Sequence, residues 1–474
     1  MNKFFFKALA LLTSVVVLAV MAACGAAPTP ETITKVETVV VEKEVEKEVT
    51  VVETVEVVQT VEVIQTVEVE KEVEKEVVKA VSPVLYNSYQ SDPEPRKFIE
   101  SVVADWNAQH PDVPVDMSII AHEDFKQALR AYLTADPAPD VLDWFAGNRA
   151  RFFIDKGLIL DVSSMWEENK FDDAYAPGFQ ALATYNDKKY FVPTSYYWWA
   201  IYYRPSLFEE AGIAQPPATW AELLDACDKL NANGVTPITI GARFKWPAAA
   251  WFDYLNMRVN GPEFHIELTD LKVPYTDERV KKVFEHWAEL LDHKCFIEDP
   301  AAFDWQEAVD PMVQGEAAMY LMGAFIVDSY PDEAENDLDF FQFPIINPDV
   351  PVGEDAPTDG FFMAANAKNP EAGMQFLAHL GSKEIQQRLF DELKRLPTRT
   401  DVDISQAPEA TQKGIKLIQS ADFIAQFYDR DTTPPMAEAG MDGFMRFWDD
   451  PSSIDQILED LEAERQRILE EGTE

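Results

Sequence analysis

Cysteine and histidine are scarce in this chain, and positive charge is heavily outnumbered. Three cysteines and six histidines occur among 474 residues. The histidines (His110, His122, His265, His286, His293 and His379) are scattered, and even His286 and His293 are spaced too widely to chelate one ion directly. No HExxH helix, phosphate-binding glycine loop or nucleophile elbow is present, so the motif-bearing hydrolases and NTPases are excluded. Forty basic residues face 84 acidic ones, a formal charge of -44. A field of that sign repels nucleic acid and anionic lipid, which excludes nucleic-acid binding and points to a solubilising acidic surface. Of the cysteines, Cys227 and Cys295 read as two reduced, buried residues, with a disulfide as the alternative in an oxidising compartment. Cys24 stands apart.

Long apolar runs are equally rare. Ala8 to Met21 is too short for a comfortable membrane span, but it follows Lys3 and Lys7 and ends in the small residues Ala22 and Ala23, so residues 1–23 read as a secretion signal. Met21-Ala22-Ala23-Cys24-Gly25 resembles the bacterial lipobox, with Met21 in place of the usual Leu. That resemblance implies lipidation at Cys24, cleavage just before it, and a place on the extracytoplasmic face of the cell membrane. Residues 24–82 then read as a lipid-anchored stalk. TVEVVQ, TVEVIQ and TVEVEK repeat from Thr54 to Lys71, VEKEVEKEV occurs twice, and residues 31–81 contain no aromatic residue to nucleate a core. The valine spacing mixes strand and helix periods, so no secondary structure is assigned. A stretch of about 50 residues reaches ~170 Å extended or ~75 Å as a helix, enough to lift a domain off a membrane. A valine-zippered coiled coil is the rival reading.

What is abundant lies after residue 82: most of the 31 prolines and all 11 tryptophans, in a chain that is 47% apolar and 12% aromatic, ample for a large core. Short apolar runs alternate with amphipathic helices. Strands are expected at Pro83–Tyr86, Val113–Ile120 and Pro139–Trp144, with helices at Arg96–His110 and Glu123–Thr134. The first helix carries Phe98, Ile99, Val102, Val103 and Trp106 on one face. This βαβα order predicts an α/β fold with a helix-covered, mainly parallel sheet, and ligands in such sheets lie at the carboxyl ends of the strands. Trp144 sits at such an end. Thr219-Trp220-Ala221-Glu222 is a capping box opening a helix that stops at Asn233-Gly234. Trp106, Trp220, Trp251 and Trp287, each on an expected helix face, are assigned to the core. In the aromatic run Tyr196–Trp199, strand alternation sends about half of the side chains inward, leaving Tyr197 and Trp199 outward.

Four segments, in order, resemble family 1 extracellular sugar-binding proteins of ABC importers, the maltose-binding proteins among them. They are HPDVPVDMSII with LTADPAPDVLDWF, then YYRPSLFEEAGIAQPPATWAELLDACDKL, then QGEAAMYLMGAF, and TDGFFMAANAKNPEAGMQFLAHLGSKEIQQRLF. Arg204 stands where the family commonly has Asn, and Phe325 where it has Trp. The resemblance implies a two-lobe, type II periplasmic-binding-protein fold, with chain crossings near Tyr197–Ile201, Tyr320–Gly323 and Thr358–Gly360. Lobe one would be 83–198 plus 321–358 and lobe two 199–320 plus 359–474, with Gly323 and Gly360 as hinge glycines. It further implies that Trp144 stacks on the ligand and that Gly241–Pro247 faces it across the cleft. The implied function is a non-enzymatic one. A mono- or oligosaccharide is captured between the lobes by a monomeric binding domain and handed to the membrane subunits of an ABC importer, with no cofactor or metal.

A sugar presents flat C–H faces and hydroxyls that donate and accept, so its cleft needs aromatic plates edged by polar groups. The candidate plates are Tyr89, Trp144, Tyr197, Trp198, Trp199, Trp246 and Phe325. The candidate polar groups are Gln90, Asp92, Asp143, Asn148, Arg243, Asp359 and Arg399. The alternatives are a binding protein for a non-sugar solute, one for a metal ion held by tyrosine pairs such as Tyr196-Tyr197 or Tyr202-Tyr203, and a secreted carbohydrate-active enzyme using paired carboxylates.

Overall fold

The computed structural model describes residues 82–331 and 334–472. The signal, Cys24 and the stalk repeats lie outside the described residues.

Two sheets, each with its own apolar core, organise the chain. The first has six strands in the order Leu396–Pro397, Val192–Tyr196, Thr358–Met363, Val141–Phe145, Val84–Ser88, Val115–Ile119. Its start follows the sequence pattern. Val84–Ser88 pairs in parallel with Val115–Ile119 and with Val141–Phe145. The helices Pro93–Gln109 and His122–Thr134 pack on it through Phe98, Ile99, Val102, Val103 and Trp106, and through Phe125, Leu129 and Leu133. The first helix begins earlier than the apolar stripe alone indicates, because Pro93 is preset for the first helical turn. The second sheet has the order Asp339–Phe341, Trp199–Tyr203, Ala317–Gly323, Thr236–Ile238. Ala317–Gly323 is buried along its whole length, paired on both sides. On this lobe the helix Trp220–Ala232 opens with the complete capping box of Thr219 and Glu222. Trp106, Trp220, Trp251 and Trp287 are all buried.

The chain leaves the first sheet at Tyr196 and enters the second at Trp199. It returns between Asp355 and Thr358, and crosses again after Pro397, since Phe423–Ala425 pairs with Gly353–Asp355 and Ala425 and Phe427 join the second core. The expected division of the later chain is therefore corrected. Ala317–Gly323 and Asp339–Phe341 belong to the second sheet, so the chain does not cross near Tyr320–Gly323 and lobe one does not contain the strand-forming part of 321–358. Conversely, Thr358–Met363 is a central strand of the first sheet, antiparallel to both neighbours, and residues to Pro397 stay with it. The transfer from the family resemblance misplaces them, and the sequence offers no check because a buried run reads the same in either lobe.

Gly360 is glycine for a packing reason. A Cβ there would lie 2.0 Å from the Val192 carbonyl oxygen, at a bulge between Asp359 and Gly360. At Gly323 a Cβ would meet the ring of Phe325 at 2.4 Å. Cys227, in the helix Trp220–Ala232, is joined to Cys295 by a disulfide, with Cα atoms 5.3 Å apart. This corrects the reduced-cysteine reading: both side chains are buried, but beside each other.

Candidate functional site

The carboxyl ends of the first-sheet strands face the second lobe, and the space between them is a cavity of about 150 Å³. Tyr89, Gln90 and Asp92 follow the strand Val84–Ser88. Phe145 ends the next strand inward, Thr194 and Ser195 lie on Val192–Tyr196, and Asp359 lies on Thr358–Met363. The turn after Ser88 is pinned from behind. Buried Asp143 accepts hydrogen bonds from Tyr86 Oη (2.5 Å), Ser88 Oγ (2.6 Å) and the Tyr89 backbone N–H (3.1 Å). Burial pushes its carboxyl up to about 7 despite these donors.

The second lobe contributes an aromatic box. Trp199 starts its strand, Trp246 opens the helix Trp246–Asn260, and Trp305, Phe325 and Phe427 come from connecting segments. Trp199 meets Trp246 edge-on (6.0 Å, 89°) and stacks with Phe427 (4.8 Å, 28°), while Trp305 meets Phe325 edge-on (5.1 Å, 85°). Mutually perpendicular rings leave faces and edges toward a common space.

Arg430 ties the lobes at the base of the cavity. It donates to Asp359 Oδ1 (2.9 Å) and Tyr197 Oη (2.9 Å) and lies 4.3 Å over the Phe145 ring. Burial would lower its pKa, but Tyr197 and Asp359 outweigh that and keep it charged. Its neighbour Asp429 accepts from Arg149 (2.9 Å) and pairs with Lys126 (3.4 Å), both from the first lobe. Burial alone would raise Asp429, and these cations hold it below the usual carboxylate range. Trp246 Nε1 donates to Glu123 of the first lobe (3.0 Å). Burial opposes ionisation of Glu123, yet Lys126 and His122 bring its carboxyl down to about 2. Gln306 reaches Asp92 (3.3 Å), and Arg395 pairs with Asp328. Nearly every charge around the cavity thus has a partner of opposite sign.

Behind the short helix Tyr428–Asp431, Asp253 accepts from the Tyr428 backbone N–H (2.7 Å), and its other oxygen lies 3.5 Å from His265 Nε2. Asp355, just before the return crossing, is fully buried with neither carboxylate oxygen hydrogen-bonded. Burial, and then mutual repulsion with neighbouring carboxylates, drives both acids well above their usual pKa. Among the described residues no group of three His, Cys, Asp or Glu is placed to hold a metal ion.

Of the expected site residues, Tyr89, Gln90, Asp92, Tyr197, Trp199, Trp246, Phe325 and Asp359 line the cavity, as does Gly360. Five do not. Trp144 is fully buried in the first-lobe core, stacked on Phe145 (4.0 Å) and facing Phe153 and Phe362. It is Phe145, the last residue of the strand, that lines the cavity, with the Trp144 ring stacked against it. Asp143 supports the turn from beneath. Asn148 bridges the lobes beside the cavity, donating to Asp270 Oδ1 (2.9 Å) and the Asp431 carbonyl (2.7 Å). Arg243 pairs with Asp304 and Glu307 at the surface, and Arg399 with Asp401 beneath the rings of Phe171 and Tyr175. Each arginine is already engaged by a nearby carboxylate. Trp198 packs against Phe340 and the close-approaching Gly414. Sequence reasoning missed Lys126, Trp305 and the residues Phe427–Arg430, which open the short helix Tyr428–Asp431. The string Phe427-Tyr428-Asp429-Arg430-Asp431 carried a signal, since it sets two aromatic residues beside three charged ones.

Two α/β lobes, crossed by the chain more than once and enclosing an aromatic cavity, define a two-lobe solute-binding protein of the type II periplasmic class. Residues 91–387 match the model of the bacterial extracellular solute-binding protein family, and the chain belongs to that family. An uncharacterised ABC transporter extracellular-binding protein of Pyrococcus horikoshii is 27% identical over 302 residues, 63% of this chain and 66% of its own length. A probable sugar-binding periplasmic protein of Rhizobium meliloti is 23% identical over 309 residues, 62% of this chain and 70% of its own. The bacterial solute receptor AcbH, described as having an exclusive preference for β-D-galactopyranose, superposes with a TM-score of 0.76 at 29% identity, covering 81% of this chain and 99% of AcbH. A chitin oligosaccharide binding protein shares the fold, with a TM-score of 0.75 at 19% identity over 81% of this chain and 98% of its own. The family is one of solute-binding proteins of ABC transporters and not of enzymes. No helix among the described residues is long and apolar enough to cross a membrane.

Proposed function

We propose that the protein captures a sugar in the cavity between its lobes and delivers it to an ABC importer, held at the outer face of the membrane by a lipid on Cys24 and the repeat-bearing stalk. The observation that carries the ligand class is the aromatic box facing a wall of Gln90, Asp92, Ser195 and Asp359, with the surrounding charges paired. Aromatic faces cover C–H surfaces, and planar amides and carboxylates sort adjacent hydroxyls. Tyr89, Gln90, Asp92, Tyr197, Trp199, Trp246, Phe325 and Asp359 are the proposed contacts. Lobe closure bends the three interlobe segments, the second of which runs directly into Thr358–Gly360. The related receptors described for galactopyranose and for chitin oligosaccharide support the reading.

A thermal-shift screen of neutral mono- and oligosaccharides against the full chain tests it. A sugar at 100 times its dissociation constant adds ~2.7 kcal/mol to stability. Binding should also change little between low and high salt, because no formal charge is exchanged. A panel in which no sugar raises the melting temperature overturns the assignment.

A further inference from the structure

We infer that the cleft closes on a single sugar ring and rejects disaccharides and longer chains; this rests on the sugar reading given above. The cavity measures about 150 Å³, and a void of about that size holds one six-membered ring, as an engineered protein cavity holds benzene. It is bridged from lobe to lobe as well as small. A cleft for a chain must stay open where the chain leaves. Here several contacts span the two lobes beside the space. Trp246 to Glu123 and Lys126 to Asp429 close it along the helix His122–Thr134. Gln306 to Asp92 closes it at the start of the helix Pro93–Gln109, and Arg395 to Asp328 lies on the same lobe boundary. The base is closed by Arg430 on Asp359 and Tyr197.

These contacts are shielded from water. The side chains of Lys126, Asp429 and Glu123 are 10%, 5% and 18% exposed. A second ring emerging between the lobes would part at least one of the pairs and leave a poorly hydrated charge without its partner, which is strongly unfavourable. A monosaccharide leaves all of them intact.

Calorimetric titration of the full chain with hexoses and pentoses, and with disaccharides carrying each at either end, tests the inference. The best monosaccharide is expected to bind roughly 100-fold more tightly than any disaccharide containing it. A disaccharide or longer chain that binds as tightly or more tightly overturns the single-ring assignment and leaves the sugar reading standing. Heat from no sugar of any length overturns both. The variant Glu123→Ala removes one seal, so its preference for the monosaccharide should narrow by about tenfold. An unchanged ratio overturns the role given to that contact.

Discussion

Replacing Trp246 with Phe separates lobe closure from lobe stability. The indole N–H donates to Glu123 across the cleft at 3.0 Å, and Glu123 is ionised over all ordinary pH because its carboxyl is held at about 2. A hydrogen bond to a charged group contributes ~1.5–3 kcal/mol. Glu123 keeps His122 (3.1 Å) and Lys126 (3.5 Å) when the indole is lost, so it is not stranded, and the lower part of that range applies, about 1.5–2 kcal/mol. The phenyl ring retains the contacts with Trp199 and Phe427 within the second lobe. The contact with Glu123 exists only when the lobes meet, so its loss appears as a 10- to 30-fold weaker affinity. Isothermal titration with the best sugar from the screen measures it, alongside Glu123→Gln and the double variant. The loss on Trp246→Phe should largely vanish in the Glu123→Gln background. Fully additive effects, or a ligand-free melting loss as large as the binding loss, would refute the reasoning.

Three further outcomes follow from named residues. Trp144→Ala should cost ~3–5 kcal/mol of stability, read by denaturant unfolding of the ligand-free protein, because it empties a packed core site; weak binding with normal stability would return Trp144 to the cleft. Asp355 has a raised pKa when folded, so its favourable contribution is full below the ordinary carboxyl value of about 4 and is lost as pH rises through the raised one. Asp355→Asn should therefore melt higher than the parent at about pH 8 and close to it at about pH 4, and equal destabilisation at both would show that the carboxylate is needed. Cys24→Ser should move the protein from the membrane to the soluble fraction, since acyl chains supply ~0.8 kcal/mol per buried CH₂; retention in the membrane fraction would defeat the lipid anchor.

The lobes were legible where local pattern and topology agree. The first three strands, their helices and the Thr219 capping box are all fixed by short-range periodicity and turn chemistry, and the structure shows each within a few residues. The later crossings were not, because Ala317–Gly323 and Thr358–Met363 are apolar runs whose sheet is chosen by tertiary contacts. The site shows the same division. Trp144 and Phe145 differ by one position, and both are buried, so no alternation of polar and apolar residues told which faced the cleft. Trp199 and Trp246 stood out as aromatics near a family motif. Arg430 did not, because its meaning depends on Asp359 and Tyr197, brought to it only by folding.

The strand Thr358–Met363 bears on how the chain is made. It lies between Val192–Tyr196 and Val141–Phe145, which do not pair with each other, and Met363 is matched with Val141 across most of the second lobe's sequence. Strands translated early therefore wait for one translated late, and pairing over such a separation is slow because a long loop must close first. Until that strand arrives, the first lobe's sheet is two unjoined pieces with open edges. Such a delay makes the joining of those two pieces the late step in folding the first lobe.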